Sequence, residues 1–341
     1  PIVVENSELH VSTSIGIASF PNNGYTMEAL LRCADVALYE AKAAGRRTFK
    51  WFHAEMDEVL HRRQLLETGL RQAFEEDRLE LHFQPQVDLS TRHIVGVEAL
   101  IRWTDPTLGR VSPSVLIEVA NQCGLILELG AWIIETACQR AASWAEQGIN
   151  IQLAVNLSPA QLHHQNFLAM LDEAISRTGF CSRHLTLEIT EDLLLQDDDA
   201  TVEKLNGLRQ RGITLAVDDF GTGYSNLGYL KRLPIQYLKI DQTFIRDIET
   251  DANDRAIIHG IIGLAKSLGL ETIAEGVESE NQRHFLLDAN CHLAQGFLFA
   301  PALPESELFE LFADDRELTP LSPRPQHTPL HSALGAQVTT T

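Results

Sequence analysis

The run LAVDDFGTGYS, in which a strand-length apolar stretch stops at the adjacent carboxylates Asp218 and Asp219, constrains this chain more than any other feature. Two neighbouring acids repel each other unless a proton or a cation lies between them, so the pattern points to a metal site at the end of a strand. The pattern recurs. VGVEALIRW carries Glu98, IQLAVNLS delivers Asn156, LTLEITE delivers Glu188 and Glu191, IQYLKID delivers Lys239 and Asp241, and LETIAEGVE delivers Glu275 and Glu278. Runs of this kind, each closing on an oxygen ligand or a cation, call for a fold that gathers the ends of separate strands at one place.

Strand-like runs at 80–88, 93–103, 151–156, 185–190, 213–218, 235–240, 271–275 and 293–299 alternate with helical stretches at 113–122, 129–147, 159–177, 199–211, 225–232, 252–268, 279–289 and 305–313. This order predicts an α/β architecture, a (β/α)8 TIM-like barrel, with an open doubly wound sheet as the alternative. The barrel is preferred because barrel enzymes place functional side chains at the C-terminal ends of several strands, where these acids sit. The two glycines after Asp219 permit left-handed backbone but do not form GxGxxG, so a dinucleotide-binding loop is rejected in favour of a mobile loop beside the metal acids.

Residues 1–52 read as an α+β piece: two alternating strands around Asn6-Ser7, an amphipathic helix MEALLRCADVALYEAKAAG ended by Gly45, and a short strand in RTFKWF. A helical pattern over 53–78 leads onward, with 53–70 taken as a linker helix and 71–316 as the barrel. Residues 317–341, rich in Pro, Ser and Thr, are expected to be disordered.

With 27 Lys+Arg against 47 Asp+Glu, the formal charge of −20 argues against sequence-independent binding of DNA or RNA through a basic face. The five cysteines, Cys33, Cys123, Cys138, Cys181 and Cys291, have no CxxC spacing, which suggests neither a disulfide framework nor zinc and places the chain in a reducing, cytoplasmic setting. No apolar run reaches the roughly 18 residues of a membrane span.

The ordered motifs E-A-L-I-R, A-V-N-L-S, L-E-I-T-E, D-D-F-G-T-G-Y-S, L-K-I-D, A-E-G-V-E and Q-G-F-L-F-A-P resemble the EAL family of cyclic di-GMP phosphodiesterases over residues 70 to 315. VSTSIGIASFP and ADVALYEAKAAGRRTF resemble the last third of a GGDEF (diguanylate cyclase) domain; no GGDEF or GGEEF string occurs, so this segment alone cannot synthesise a dinucleotide. The resemblance implies hydrolysis of one ester of cyclic di-GMP to linear 5'-pGpG, a barrel with one antiparallel strand, and a homodimer. A cyclic di-GMP receptor without turnover is the alternative from the binding-module class.

Phosphodiester hydrolysis is served by two divalent cations roughly 3.5–4 Å apart. Glu98, Asn156, Glu188 and Asp218 offer three carboxylates and an amide, suited to Mg²⁺ or Mn²⁺, while Asp219 and Glu275 complete a second site. The resemblance matches all six to metal-binding positions. It also gives Lys239 and Glu275 catalytic roles, and Lys239, expected as an ammonium at the mouth, orients water rather than removing its proton. A structural ion pair from Lys239 to Asp241 or Asp218 is the plainer alternative. For the substrate, Arg102 is placed to hold a phosphate, Leu100 packs beside it, and Gln84 and Gln295 match positions near the ligand. Glu191 resembles the residue that holds the glycine loop, and Asp241 and Glu278 are expected to do similar supporting work beside the metal acids. Leu116, Glu118 and Asn121 depart from the family pattern, away from the metal motifs.

Overall fold

The computed structural model describes residues 2–4, 7–9, 12–191, 193, 199–223 and 227–314. The expected turn at Asn6, the centre of the glycine loop and the expected disordered tail lie wholly or partly outside them. The chain divides into two compact units: one gathers the residues up to Leu79 with Trp103–Gly124, and the other Glu80–Arg102 with the residues from Leu125 onward.

In the first unit, β1 (Ile2–Val4) pairs antiparallel with β2 (Ser7–Leu9), and β3 (Ile15–Ile17) pairs in parallel with β4 (Phe49–Trp51) across the intervening α1 (Met27–Ala43). The sequence expected two strands before this helix and the structure has three. Thr26 starts α1 by accepting a hydrogen bond from Ala29 N–H, and Cys33, Val36, Ala37 and Ala41 form its buried stripe. Gly16 is required where β3 meets α1, because a Cβ there would lie 1.9 Å from the Ala34 carbonyl oxygen. The helix α2 (Ala54–Glu75) buries Leu66, Gly69, Leu70 and Ala73, so its C-terminal half is a packed element rather than a bare linker.

The barrel strands are β5 (Leu79–Asp88), β6 (Ile94–Asp105), whose far end pairs with β7 (Gly109–Val111) ahead of α3 (Pro113–Gln122), then, after α4 (Ile126–Glu146), β8 (Gln152–Asn156). After α5 (Pro159–His163) and α6 (Phe167–Thr178) come β9 (Leu185–Thr190), α7 (Asp199–Gln210), β10 (Thr214–Phe220), α8 (Leu227–Leu230), β11 (Tyr237–Ile240), α9 (Gln242–Arg246) and α10 (Ala252–Leu268). The chain continues through β12 (Glu271–Ala274), α11 (Glu280–Asp288), β13 (Leu293–Ala294) and α12 (Glu305–Asp314). The sheet order β5-β13-β12-β11-β10-β9-β8-β6, with β6 returning to β5, closes a ring of eight strands. Leu293 opposes Asp88 in antiparallel register, so β5 is the reversed strand, as expected, and a tight turn with Asp88 N–H donating to His93 O joins it to β6. The other neighbours run parallel. Parallel strands covered on both faces need continuous apolar runs, and Leu185, Leu187, Leu215, Val217 and Leu238 are fully buried.

β7 and α9 were not expected, α8 is shorter than expected, and two further departures from the expected spans have a visible cause. The single helix over 159–177 is two: Ser158 and Gln161 form a reciprocal capping box that starts α5, and His164 adopts extended backbone before α6. The strand over 293–299 ends at Ala294, because the apolar residues after Gly296 turn back on Val277, with Leu298 N–H bonding to Val277 O. A Cβ on Gly296 would lie 2.2 Å from Val277 N and O.

Among the described residues no helix is long and apolar enough to cross a membrane. Cys138 and Cys291 are buried free thiols, and burial pushes their pKa values up to about 12 and about 11. The Leu187→Ala variant is expected to lose about 2–5 kcal/mol by chemical denaturation, because the close-packed surround of a barrel strand cannot collapse into the vacated space.

Candidate active site

Every ring strand from β6 onward delivers a polar side chain, from β8 onward at, just beyond or within two residues of its C-terminal end, and from β6 at the level where it pairs with β8. Glu98 lies on β6, Asn156 is the last residue of β8, Glu188 lies on β9, Asp218 on β10, Lys239 on β11, and Glu275 and Gln295 immediately follow β12 and β13. They converge on Lys239. Its Nζ lies 2.6 Å from Glu188 Oε2, 2.7 Å from Glu275 Oε1, 2.9 Å from Asp218 Oδ1 and 3.5 Å from Glu98 Oε2, and the side chain is 1% exposed. The lysine therefore occupies the centre of the acidic cluster rather than its mouth. Its plainer alternative, a pairing with Asp218, is present as one of four contacts.

Amides complete the cluster. Asn156 Nδ2 donates to Glu98 Oε1 at 2.6 Å, and Gln295 Nε2 donates to Glu98 Oε2 at 2.7 Å and Glu275 Oε1 at 3.0 Å. Gln86, a residue that the sequence reading passed over, donates from Nε2 to Gln295 Oε1 at 3.2 Å. The available signal was the period of two in HFQPQ, which puts Gln84 and Gln86 on one face of β5.

Asp218 and Asp219 sit where the pairing of β10 with β11 slips between Val217 and Phe220, and Asp219 has φ 54°. A bulge of this kind re-aims successive side chains, and a non-glycine residue at positive φ is a local cost tolerated at functional sites. One oxygen each from Asp218, Asp219 and Glu275 lies within 4.8 Å of the other two, close enough to share a metal ion.

The electrostatics follow from five carboxylates, Glu98, Glu188, Asp218, Asp219 and Glu275, around one ammonium. Burial alone would neutralise Lys239, but Glu188, Glu275, Glu98 and Asp218 outweigh it and raise its pKa well above the usual value, so it stays charged. Burial, then the charge of Glu98, pushes Glu188 well above the carboxylate range. Burial also pushes Glu275 up to about 8, with Asp218 and Glu98 adding to the rise and Lys239 opposing it. Asp219 is raised to about 6 by burial and by Asp218 and Asp241. Glu98 goes the other way: burial opposes its ionisation, but Lys239 and hydrogen bonds from Gln295 and Asn156 hold it below its usual pKa. Glu188 Oε1 is buried with no hydrogen-bond donor. That orphaned oxygen, together with the surplus of negative charge and the all-oxygen donor set beside the lysine, fits a hard divalent cation.

The remaining candidates fall in several places. Glu191 Oε2 accepts from Gly221 N–H at 2.8 Å, tying the start of the glycine loop to the segment after β9. Asp241 caps α9, accepting from Thr243 N–H at 2.9 Å. Gln84 Nε2 donates to Ala300 O at 3.3 Å, and Arg102 Nη1 donates to Ile101 O at 2.9 Å, four residues beyond Glu98 on β6, with Leu100 half-buried between them. Glu278 is exposed and its N–H bonds to Gln282 Oε1, so it is not among the groups packed around Glu275.

The raised carboxyl groups give metal-free protein a definite pH dependence. A carboxyl whose folded pKa exceeds its unfolded value stabilises the fold below the unfolded pKa and loses that contribution as pH rises through the folded one. For Glu275 this window runs from 4.5 to about 8 and for Asp219 from 3.8 to about 6. Thermal unfolding in a chelator is therefore expected to show stability falling between these limits, and saturating Mn²⁺ is expected to abolish the fall. Lys239→Met removes the buried ammonium from the acidic cluster, so metal-free protein is expected to lose about 3–5 kcal/mol near neutral pH, much of it regained with Mn²⁺.

Comparison with known proteins places this geometry. A family model described as the EAL domain matches residues 67–302, and one for the diguanylate cyclase GGDEF domain matches residues 1–48. The chain is 39% identical over 309 residues to the bifunctional diguanylate cyclase/cyclic di-GMP phosphodiesterase MucR of Pseudomonas aeruginosa, covering 90% of this chain and 45% of that protein. It is 37% identical over 297 residues to the cyclic di-GMP phosphodiesterase PdeR of Escherichia coli, covering 87% of this chain and 45% of that protein. The chain thus spans less than half the length of these curated relatives. The solved MucR phosphodiesterase in complex with c-di-GMP superposes with a TM-score of 0.69 at 40% identity, covering 71% of this chain and 99% of that one. This chain belongs to the EAL family of cyclic di-GMP phosphodiesterases, with a GGDEF fragment preceding its barrel.

Proposed function

We propose that the chain hydrolyses one phosphodiester bond of cyclic di-GMP to linear 5'-pGpG, using two divalent cations, Mg²⁺ or Mn²⁺, at the barrel mouth. The observation that carries this reading is the convergence of Glu98, Glu188, Asp218 and Glu275 on Lys239, beside a buried Glu188 oxygen that lacks a donor. Glu98, Asn156, Glu188 and Asp218 would hold one cation, and Asp218, Asp219 and Glu275 the other. When bound, such a pair supplies hydroxide at neutral pH and offsets the charge of the phosphoryl oxygens.

The side chains do the rest. Lys239, held as an ammonium by Glu188, Asp218 and Glu275, orients the attacking oxygen through the carboxylates it fixes; a group so stabilised in its charged form is a poor base. Glu275 accepts from Gln295 and contacts Lys239, and so fixes the direction from which the attacking oxygen approaches. Arg102, beyond Glu98 on the same strand, grips a substrate phosphate, and Gln84 meets the ligand from the reversed strand. Glu191, through Gly221 N–H, holds the backbone that carries Asp219.

Incubation of the pure chain with cyclic di-GMP and Mn²⁺, with products resolved chromatographically, is expected to yield linear pGpG. Asp218→Ala and Glu275→Ala are expected to lower turnover by at least about 10²–10³-fold while retaining cooperative unfolding. Bound but unconverted dinucleotide at saturating metal would establish a receptor instead.

A further inference from the structure

Gln295 touches the same two carboxylate oxygens as Lys239, namely Glu98 Oε2 and Glu275 Oε1. A primary amide has two ends of similar shape and opposite polarity, so its value to a pair of carboxylates depends on which end faces them. With Nε2 inward, Gln295 makes two charge-assisted hydrogen bonds; turned over, its Oε1 would lie against two anionic oxygens. Gln86 supplies the discrimination. Its Nε2 donates to Gln295 Oε1 at 3.2 Å, which rewards one orientation of the Gln295 amide and would oppose N–H to N–H in the other. Both glutamines are buried, at 7% and 6% exposure, so water does not readily compensate a wrong orientation.

The backbone brings them together. The antiparallel register of β5 with β13, Asp88 against Leu293 and Val87 against Ala294, carries Gln86 to the level of Gln295 when continued by one residue. Gly96 leaves the Gln86 amide its place, since a Cβ there would come 3.2 Å from Gln86 Oε1.

The geometry points to Gln86 as a positioning residue for the cation site: it orients the Gln295 amide, which in turn presents Glu98 and Glu275 in the arrangement that receives the metal. This inference rests on the two-cation reading above. Residues that hydrogen-bond behind the groups touching a metal typically change its affinity by about 10–100-fold when removed.

The test is direct Mn²⁺ binding, read by electron paramagnetic resonance of the free ion, on the wild-type chain, Gln86→Met, Gln295→Met and the double variant. Gln86→Met keeps the length of the side chain without the donor and is expected to weaken Mn²⁺ binding about tenfold, with turnover recovering as Mn²⁺ is raised. Because Gln86 acts through Gln295, its replacement is expected to change Mn²⁺ affinity less than twofold when Gln295→Met is already present. A merely structural role would instead give additive losses. Gln86→Leu is expected to reproduce the result and serves if Gln86→Met fails to fold. Undiminished affinity in folded Gln86→Met or Gln86→Leu, or additive losses in the double variant, would overturn the role of Gln86 and leave the two-cation reading intact. Failure of the wild-type chain to bind Mn²⁺ would overturn both.

Discussion

The ammonium of Lys239 is the contact on which the site depends. Four carboxylates approach it within 3.5 Å, from positions separated by as much as 177 residues (275 − 98), and among the described residues no closer positive charge holds them together. Taking even one ion pair out of water costs several kcal/mol per ion, and the cost is recovered only when geometry is good and remaining oxygens find donors. Here Asn156 and Gln295 satisfy Glu98, whereas Glu188 keeps an oxygen without a donor. The cluster is consequently complete as a scaffold and incomplete in charge, as the proposed cation site requires.

The closed ring makes that arrangement possible. Parallel strands carry their C-terminal ends to one rim, and the helices between them return the chain to the other. The reversed strand β5 joins the ring from the opposite direction and so contributes from within its length rather than from its end. Gln84 and Gln86 are the result: two amides one step of the pleat apart, one bonded to the Ala300 carbonyl and one to the Gln295 amide.

Much of this was legible in the chain. Strand-length apolar runs ending at Glu98, Asn156, Glu188 and Asp218 carry the sequence's local rules, and local rules hold where both faces of a strand are buried. The depth of Lys239 was not legible, because Leu-Lys-Ile-Asp reads the same whether the lysine reaches solvent or turns inward among acids from four other strands. Glu278 marks where spacing stops informing: it lies three residues after Glu275, but β12 has already ended at Ala274, so spacing no longer sets direction. The short β13 depended on Gly296 meeting the backbone of Val277, a contact between loops that neither sequence segment announces. Gln86 was hidden by its neighbour, since Gln84 accounted for the motif by itself.

The buried cysteines have a practical consequence. Thiolate, not thiol, is the species that reacts with alkylating agents, and burial keeps Cys138 on α4 and Cys291 before β13 from ionising until far above physiological pH. Exposed Cys181 is the first of these three positions that a labelling reagent can reach in the folded chain. Modification of Cys138 or Cys291 therefore requires the surrounding helix and strand to part, and the two sulfur atoms serve as built-in clocks for transient opening of the closed ring.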